Sequence, residues 1–335
     1  MEHHCCHEPA DTVSVDKKLK ISALALGIFI LLSFAPLSWL EPLNESLLSY
    51  LGLIWWAVAL GLLLGGLIDH FVPGDFINRM LGGRSILSLF RAVLAGFLLS
   101  ACSHGILAIA MQLYKKGASI AATMTFLLAS PWANLPVTVL LFSFFGWQAL
   151  LFVGAAMLVA LVTGMIFLVL ERMGLIEGSR ELVLESSTEW SAINNFDFHE
   201  SVQGVYRGTL QLANMVLWWI IIGVLAAAVI GAYVPHHIFM DYFGASFSGL
   251  SLTLLAATVI EVCSEGSSPI AFEIYNKVGV LGNPFVFLMA GVVTDYTEIG
   301  LIWSNIGRKA AIWMPLVTVP QVLLLGYLFN VGIAG

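Results

Sequence analysis

Charge is what this sequence has least of. Of its 335 residues only 10% are Asp, Glu, Lys or Arg, while 59% are hydrophobic; soluble domains carry about a quarter charged residues. A water-soluble globular chain is excluded, and the composition reads as a polytopic membrane protein. Cysteine is scarce as well: a vicinal pair, Cys5 and Cys6, and two single residues, Cys102 and Cys263. That is no secreted disulfide framework, and soft metal or thiol chemistry suits it better. There is no G-x-x-x-x-G-K-S/T loop and no polar stretch large enough for a nucleotide-hydrolysing domain, so neither ATP hydrolysis nor any cofactor is indicated. HExxH and GxSxG are missing too, which argues against an intramembrane enzyme. The N-terminus stays polar for about 20 residues before a full-length apolar segment without a small-residue cleavage site, unlike a cleavable signal peptide. The net charge of −7 comes mostly from loops and the second half, and suggests neither nucleic acid nor an anionic substrate as partner.

What the sequence does contain is an internal duplication. Residues 101–141, ACSHGILAIAMQLYKKGASIAATMTFLLASPWANLPVTVLL, align without a gap on residues 262–302, VCSEGSSPIAFEIYNKVGVLGNPFVFLMAGVVTDYTEIGLI, at the offset 263 − 102 = 161. Cys102 falls on Cys263, Ser103 on Ser264, Gly105 on Gly266, Tyr114 on Tyr275, Lys116 on Lys277 and Phe126 on Phe287. Matching Leu and Ala come free in such a composition, but matching Cys, Ser, Gly, Tyr and Lys do not. Upstream, Trp55-Trp56 and Val72-Pro73 recur as Trp218-Trp219 and Val234-Pro235. The copies differ where chemistry would differ: His104 faces Glu265, Gln112 faces Glu273, Asn134 faces Asp295, and Val137 faces Glu298.

The expected fold is all-α and polytopic, with about 8–10 membrane segments, judged by the ~20 apolar residues a spanning helix needs. The expected organisation is a cytoplasmic metal-binding tail over 1–19, a first membrane helix in 20–44, a first repeat over 45–171, a cytoplasmic linker over 172–204 and a second repeat over 205–335. Lys17, Lys18 and Lys20 precede the first segment, while Glu41 and Glu45 follow it with no Lys or Arg. That bias puts the N-terminus in the cytoplasm of a cell inner (plasma) membrane protein. If every segment crossed, Lys115, Lys116, Arg172, Arg180, Arg207 and Lys277 would lie outside, against the positive-inside tendency. One re-entrant hairpin per repeat makes each repeat cross an odd number of times, inverts the second copy and returns nearly all basic residues to the cytoplasm. The hairpin could break at Cys102-Ser103-His104-Gly105 or at Ala129-Ser130-Pro131-Trp132-Ala133-Asn134-Leu135-Pro136, and charge does not separate these. Both interrupt apolar runs, and interrupted segments at matching positions of two halves point to a transporter's substrate site.

Ionisable residues inside such runs ask for a role, because each costs about 2.5–3.5 kcal/mol at the bilayer centre. Cys102, Ser103, His104 and Asn134 of the first repeat, with Cys263, Ser264, Glu265, Asp295 and Glu298 of the second, are the candidate substrate and ion pathway. Thiolate, imidazole and carboxylate together make a mixed soft site. Asp295 and Glu298, three residues apart, share a helix face and could carry protons at neutral pH. In the tail, His3, His4, Cys5, Cys6 and His7 crowd imidazoles and thiols suited to Zn²⁺ or Cu(I). Plainer roles exist for several of these: Cys as a small hydrophobe, carboxylates in structural ion pairs, Ser as backbone partners.

CSHG followed by KGAS and SPWANLP, and CSEGSSPIA followed by FLMAGVVTDYTEIGLIW, resemble the paired signatures of the ArsP-type permease family over nearly all of residues 50–333. The resemblance implies efflux of trivalent organoarsenicals and other toxic species. The N-terminal His/Cys cluster resembles the branch regarded as copper and zinc exporters. The function expected is therefore secondary export of a soft metal ion, Cu or Zn foremost, with protons as the coupling ion. Efflux of trivalent arsenicals, for which Cys102 and Cys263 are available, and a passive cation channel are the alternatives.

Overall fold

The computed structural model describes residues 15–33, 40–71, 85–98, 103–115, 118–178, 198–260 and 264–332. The candidate tail ligands His3, His4, Cys5, Cys6 and His7, both motif cysteines, Cys102 and Cys263, and most of the linker lie outside them. Within them the chain is helical, with no strand. The first repeat, preceded by α1 (Lys17–Ser33), comprises α2 (Glu41–Phe71), α3 (Ile86–Leu98), α4 (Ser103–Lys115), α5 (Ile120–Ala133), α6 (Leu135–Phe145) and α7 (Ala149–Arg172). The second comprises α8 (Phe198–Tyr233), α9 (His236–Phe243), α10 (Phe247–Ile260), α11 (Ser264–Val278), α12 (Gly282–Val293), α13 (Tyr296–Asn305) and α14 (Arg308–Gly332). Stretches within α2, α6–α7, α8, α12–α13 and α14 are long and apolar enough to cross a membrane. Two boundaries extend beyond the apolar runs that mark them in sequence. Both α2 and α8 start with polar turns, Glu41-Pro42-Leu43-Asn44-Glu45 and Phe198-His199-Glu200, because a helix need not end where the bilayer does.

Helix directions follow from named contacts. Gly66 of α2 meets Thr209 of α8 while His70 meets Gly204, so these two long helices run antiparallel. The near face is defined here as the one where α2 ends and α8 begins. On α2, Gly61 lies against Pro136 and the Leu53 carbonyl accepts from Ser143 Oγ at 2.5 Å, so α6 climbs toward the far face. Gly146, with φ 56, turns the chain back into α7, a conformation glycine adopts without a Cβ clash. Near-face ends then meet: the Glu177 carboxylate accepts from the backbone N–H of Lys309 and Ala310, both at 3.0 Å, where α14 starts. At the far face, Asn330 near the end of α14 accepts from the Gly282 N–H at 2.8 Å and donates to the Ala245 carbonyl at 3.1 Å.

The same accounting decides between the two hairpin candidates. Asn283 at the start of α12 donates to Thr253 Oγ1 of α10 at 3.1 Å, and Thr294 after its end shares a 2.6 Å hydrogen bond with Thr258. Helices α10 and α12 are therefore parallel, both starting at the far face. Helix α11 ends where α12 begins, so it returns along the direction α10 came. The chain reverses between Ile260 and Ser264. In the first repeat Gly96 of α3 meets Ser130 of α5 in the equivalent way, and the chain reverses between Leu98 and Ser103. Legs of 13 to 15 residues measure about 20 Å, short of a hydrocarbon core of ~30 Å. The Cys102 and Cys263 motifs thus mark re-entrant hairpins, and the Asn134 and Asp295 motifs mark breaks in helices that cross. With three crossings per repeat, the second copy is inverted. The pairings repeat accordingly: α5 on α7 as α12 on α14, α3 on α5 as α10 on α12, α4 on α5 as α11 on α12, and α6 on α11 as α13 on α4.

Helix α5 is buried along its whole length, as an all-round apolar helix must be. Large apolar side chains remain exposed on the periphery, including Leu24, Leu31, Trp55, Phe90, Leu316 and Leu324; these form the lipid face.

Candidate functional site

The break between α5 and α6 is written in Ser130-Pro131-Trp132-Ala133-Asn134-Leu135-Pro136. Pro131 and Pro136 supply no backbone N–H, and polar side chains add hydrogen bonds to the backbone around the break. The Ser130 hydroxyl donates to the Phe126 carbonyl at 2.6 Å, and Asn134 Nδ2 donates to the Ser130 carbonyl at 2.9 Å. Asn134 Oδ1 then accepts from the Val137 N–H at 2.9 Å and caps α6. Asp295 occupies the equivalent position, 161 residues on, and its Oδ1 accepts from the Glu298 N–H at 3.3 Å at the start of α13. Asn and Asp cap helices equally well, so the exchange keeps the backbone device and changes only the charge. A carboxylate there is also favoured by the helix dipole.

Glu265 lies in the first turn of α11 and accepts from Ser264 Oγ at 2.9 Å; the Ser268 hydroxyl donates to the Ser264 carbonyl at 2.9 Å. Both Ser264 and Glu265 are buried, as are Asn134, Asp295 and Glu298.

Two of these residues meet in one cavity. At the N-terminal ends of α6 and α11 a space of about 30 Å³ is lined by Asn134 and Pro136 from one repeat and Glu265 from the other. Ala57 and Gly61 of α2 and Val216 and Ile220 of α8 close it with apolar surface. That volume holds a water-sized occupant, since one water needs roughly 10–15 Å³ so measured. The lining is mostly apolar, and Asn134 and Glu265, each at the start of a half-helix, are its polar members.

Asp295 and Glu298 do not line this cavity. They open α13, which packs on α4, the helix that begins with Ser103 and His104; the side chains of Ser103 and His104 lie outside the described residues. Among the described residues no three His, Cys, Asp or Glu side chains converge. The candidate residues therefore fall at two pseudo-equivalent places, α6 with α11 and α13 with α4. Inversion explains the split, because it sends each hairpin tip to the broken helix of the other repeat.

Sequence reasoning passed over two groups. Trp132, two residues before the Asn134 cap, is buried, and its indole Nε1 has no hydrogen-bond partner. Tyr50 donates to a buried carboxylate of the other repeat, Glu273. The available signal was the mismatch of Glu273 with Gln112 between the copies.

Re-entrant hairpins and broken crossing helices in two inverted repeats, with a small cavity between the halves, define the chain as an all-α polytopic membrane protein. It belongs to the ArsP_1 family, described as predicted permeases, whose model matches residues 40–331. It is similar to the YcgR protein of Bacillus subtilis, 24% identical over 278 residues, which is 82% of this chain and 92% of the relative. A protein of Streptococcus mutans named as a candidate subunit of a two-component membrane permease complex is 22% identical over 283 residues, 82% of this chain and 90% of the relative. A candidate permease of Mycobacterium tuberculosis is 28% identical over 240 residues, 65% of this chain and 59% of the relative. No solved structure matches the chain.

Proposed function

We propose that this permease is a secondary transporter of the cell inner membrane that exports toxic soft metal ions, copper or zinc foremost, in exchange for protons. The observation that carries the reading is the cavity to which each repeat brings a half-helix N-terminus, Asn134 from one and Glu265 from the other. Cys263 stands two positions before Glu265, and Cys102 and His104 stand at the same places in the first repeat. Thiolate, imidazole and carboxylate select Cu(I) and Zn²⁺ over hard cations. A bound cation expels protons from such ligands, and protonation releases the cation. Glu265, Asp295 and Glu298 are the proton-carrying groups in this mechanism, Ser103 and Ser264 polar partners at the hairpin tips, and His3, His4, Cys5, Cys6 and His7 a cytoplasmic tail that gathers metal for the pathway.

The test is uptake of copper, zinc, arsenite and methylarsenite by inverted vesicles with and without an imposed pH gradient. Accumulation of copper or zinc that requires the gradient is the expected result. Accumulation of the arsenicals in their place reassigns the cargo, and movement without any gradient makes the protein a passive channel.

A further inference from the structure

Helix α1 covers only part of α8. The Asp16 N–H donates to Asn214 Oδ1 at 3.1 Å, and Lys18 Nζ stands 5.2 Å from the centre of the Trp218 ring. These contacts advance along both chains together, so α1 rises beside α8 toward the far face and first meets it at Asn214. Below Asn214, α8 continues toward the near face as far as Phe198. Positions 199, 203, 207 and 214 recur at helical spacing, so His199, Gln203 and Arg207 continue downward the face that receives α1. Among the described residues that face stays open: Val202 and Tyr206 are 51% and 65% exposed, and His199, Gln203, Arg207 and Gln211 are exposed with them. The opposite face is already seated on α2, through Gly204 and Thr209. Lipid tails do not account for the open side. Thr209 is level with Gly66, and the apolar run of α2 ends at Leu67, so Val202 and Tyr206 stand beyond the hydrocarbon.

The chain itself supplies an occupant. Residues 1–14 join α1 at the contact with Asn214, and they carry Glu2, Glu8 and Asp11 with no Lys or Arg. Around the open face Arg207 and the exposed Lys17, Lys18 and Lys20 outnumber the acids Asp16 and Glu200, a balance that favours an acidic segment there. Asn214 and His199 are about 22 Å apart along the helix axis, and residues 7–14 span up to about 26 Å when extended. The His/Cys cluster therefore reaches His199.

We propose that residues 1–14 dock along this face of α8, and that His199 joins the thiols and imidazoles of the His3–His7 cluster in one near-face site for Zn²⁺ or Cu(I). Imidazole and thiolate are the donors these ions select. The Gln203 amide lies 3.1 Å from His199 Nε2. Metal on Nδ1 calls for Nε2–H to donate to the amide oxygen, an end-for-end turn of the Gln203 amide that keeps the pair and orients the ring, as outer hydrogen bonds do for ligand imidazoles. A docked tail holds its metal at one point of the near face, beside the ends of α2 and α8, rather than throughout the volume its full length sweeps. The inference deepens the metal-gathering reading of the tail and rests on it for the role of His199; the docking does not depend on it.

Two measurements on the full chain in lipid nanodiscs test it. In the first, Gln203→Cys is oxidised with diamide in the absence of metal and the disulfides are mapped by mass spectrometry. A bond to Cys5 or Cys6 is expected to form on the order of tenfold faster than from Ser304→Cys, an exposed near-face position on α13, because docking raises the local thiol concentration. In the second, Zn²⁺ is titrated against a chromophoric chelator. His199→Ala is expected to weaken the tail site about tenfold or more, and to change nothing once residues 2–8 are deleted. Equal disulfide rates from Gln203→Cys and Ser304→Cys overturn the docking. So does a Gln203→Cys bond to Ser187→Cys after Cys5 and Cys6 are made serine, which gives the face to the linker. Wild-type Zn²⁺ affinity in His199→Ala, or the same loss with the tail deleted, overturns the ligand role of His199. Both expected signatures in a protein that moves neither copper nor zinc in vesicles overturn only the cargo reading.

Discussion

Asp295 and Asn134 show how much one atom decides. Both cap a half-helix inside the membrane span, so Asp295→Asn keeps the cap and removes the charge. Proton-driven export is expected to disappear while thermal stability stays within about 0.5 kcal/mol, the usual margin for a substitution that keeps its contacts. Asp295→Ala should lose the cap as well, at a further ~1 kcal/mol. Transport in vesicles and a melting curve on the same protein separate the two, and wild-type export by Asp295→Asn would leave the carboxylate a cap and nothing more. Glu177 is a second capping carboxylate, at the near-face surface. Burial alone would raise its pKa, but the N–H groups of Lys309 and Ala310 and the Lys309 charge together hold it below the ordinary value. A lowered folded-state pKa stabilises above the unfolded pKa and stops doing so as pH falls through the lowered value. Glu177→Gln should therefore destabilise by roughly 0.5–1 kcal/mol near neutrality, with the difference from wild type shrinking in acid.

Among the elements, α2 and α8 depend on missing side chains. A Cβ on Gly223 of α8 would overlap the Gly266 carbonyl of α11, and one on Gly66 would overlap Thr209 and the Val205 carbonyl; close helix approach in a membrane relies on such small residues. Gly223→Ala should lower the melting temperature and export together. Gly154→Ala in α7, where a Cβ meets nothing within 4 Å, should be neutral or stabilising through helix propensity. In the proposed function the N-terminal tail concentrates metal near the pathway. Deleting residues 2–8 should reduce copper and zinc tolerance only partly, and complete loss at normal protein levels would make the tail part of the transport site.

For the whole molecule the first measurement is orientation. Helix directions are settled relative to one another, and the proposed orientation, from the basic-residue bias, has the near face in the cytoplasm. A cysteine introduced at Ser187 in the linker should then resist impermeant maleimide in intact cells and react after permeabilisation. Labelling from outside would reverse the orientation and with it the direction of export.

The amino-acid sequence determined that the chain is helical and membrane-bound, because no other arrangement satisfies apolar runs of this length, and that it is duplicated, because Cys, Ser, Gly, Tyr and Lys recur at one offset. The excess of basic residues at certain ends required an odd number of crossings per repeat. Which interruption folds back remained open, since Gly, Ser and Pro interrupt a hairpin tip and a broken crossing helix alike; the contacts of Asn283, Thr258 and Gly96 decided it. The partners of each candidate residue were likewise a tertiary matter. Local spacing brings Asp295 to Glu298 and Ser264 to Glu265, but only the packing of inverted halves brings Asn134 to Glu265 and Tyr50 to Glu273, across 223 residues of chain.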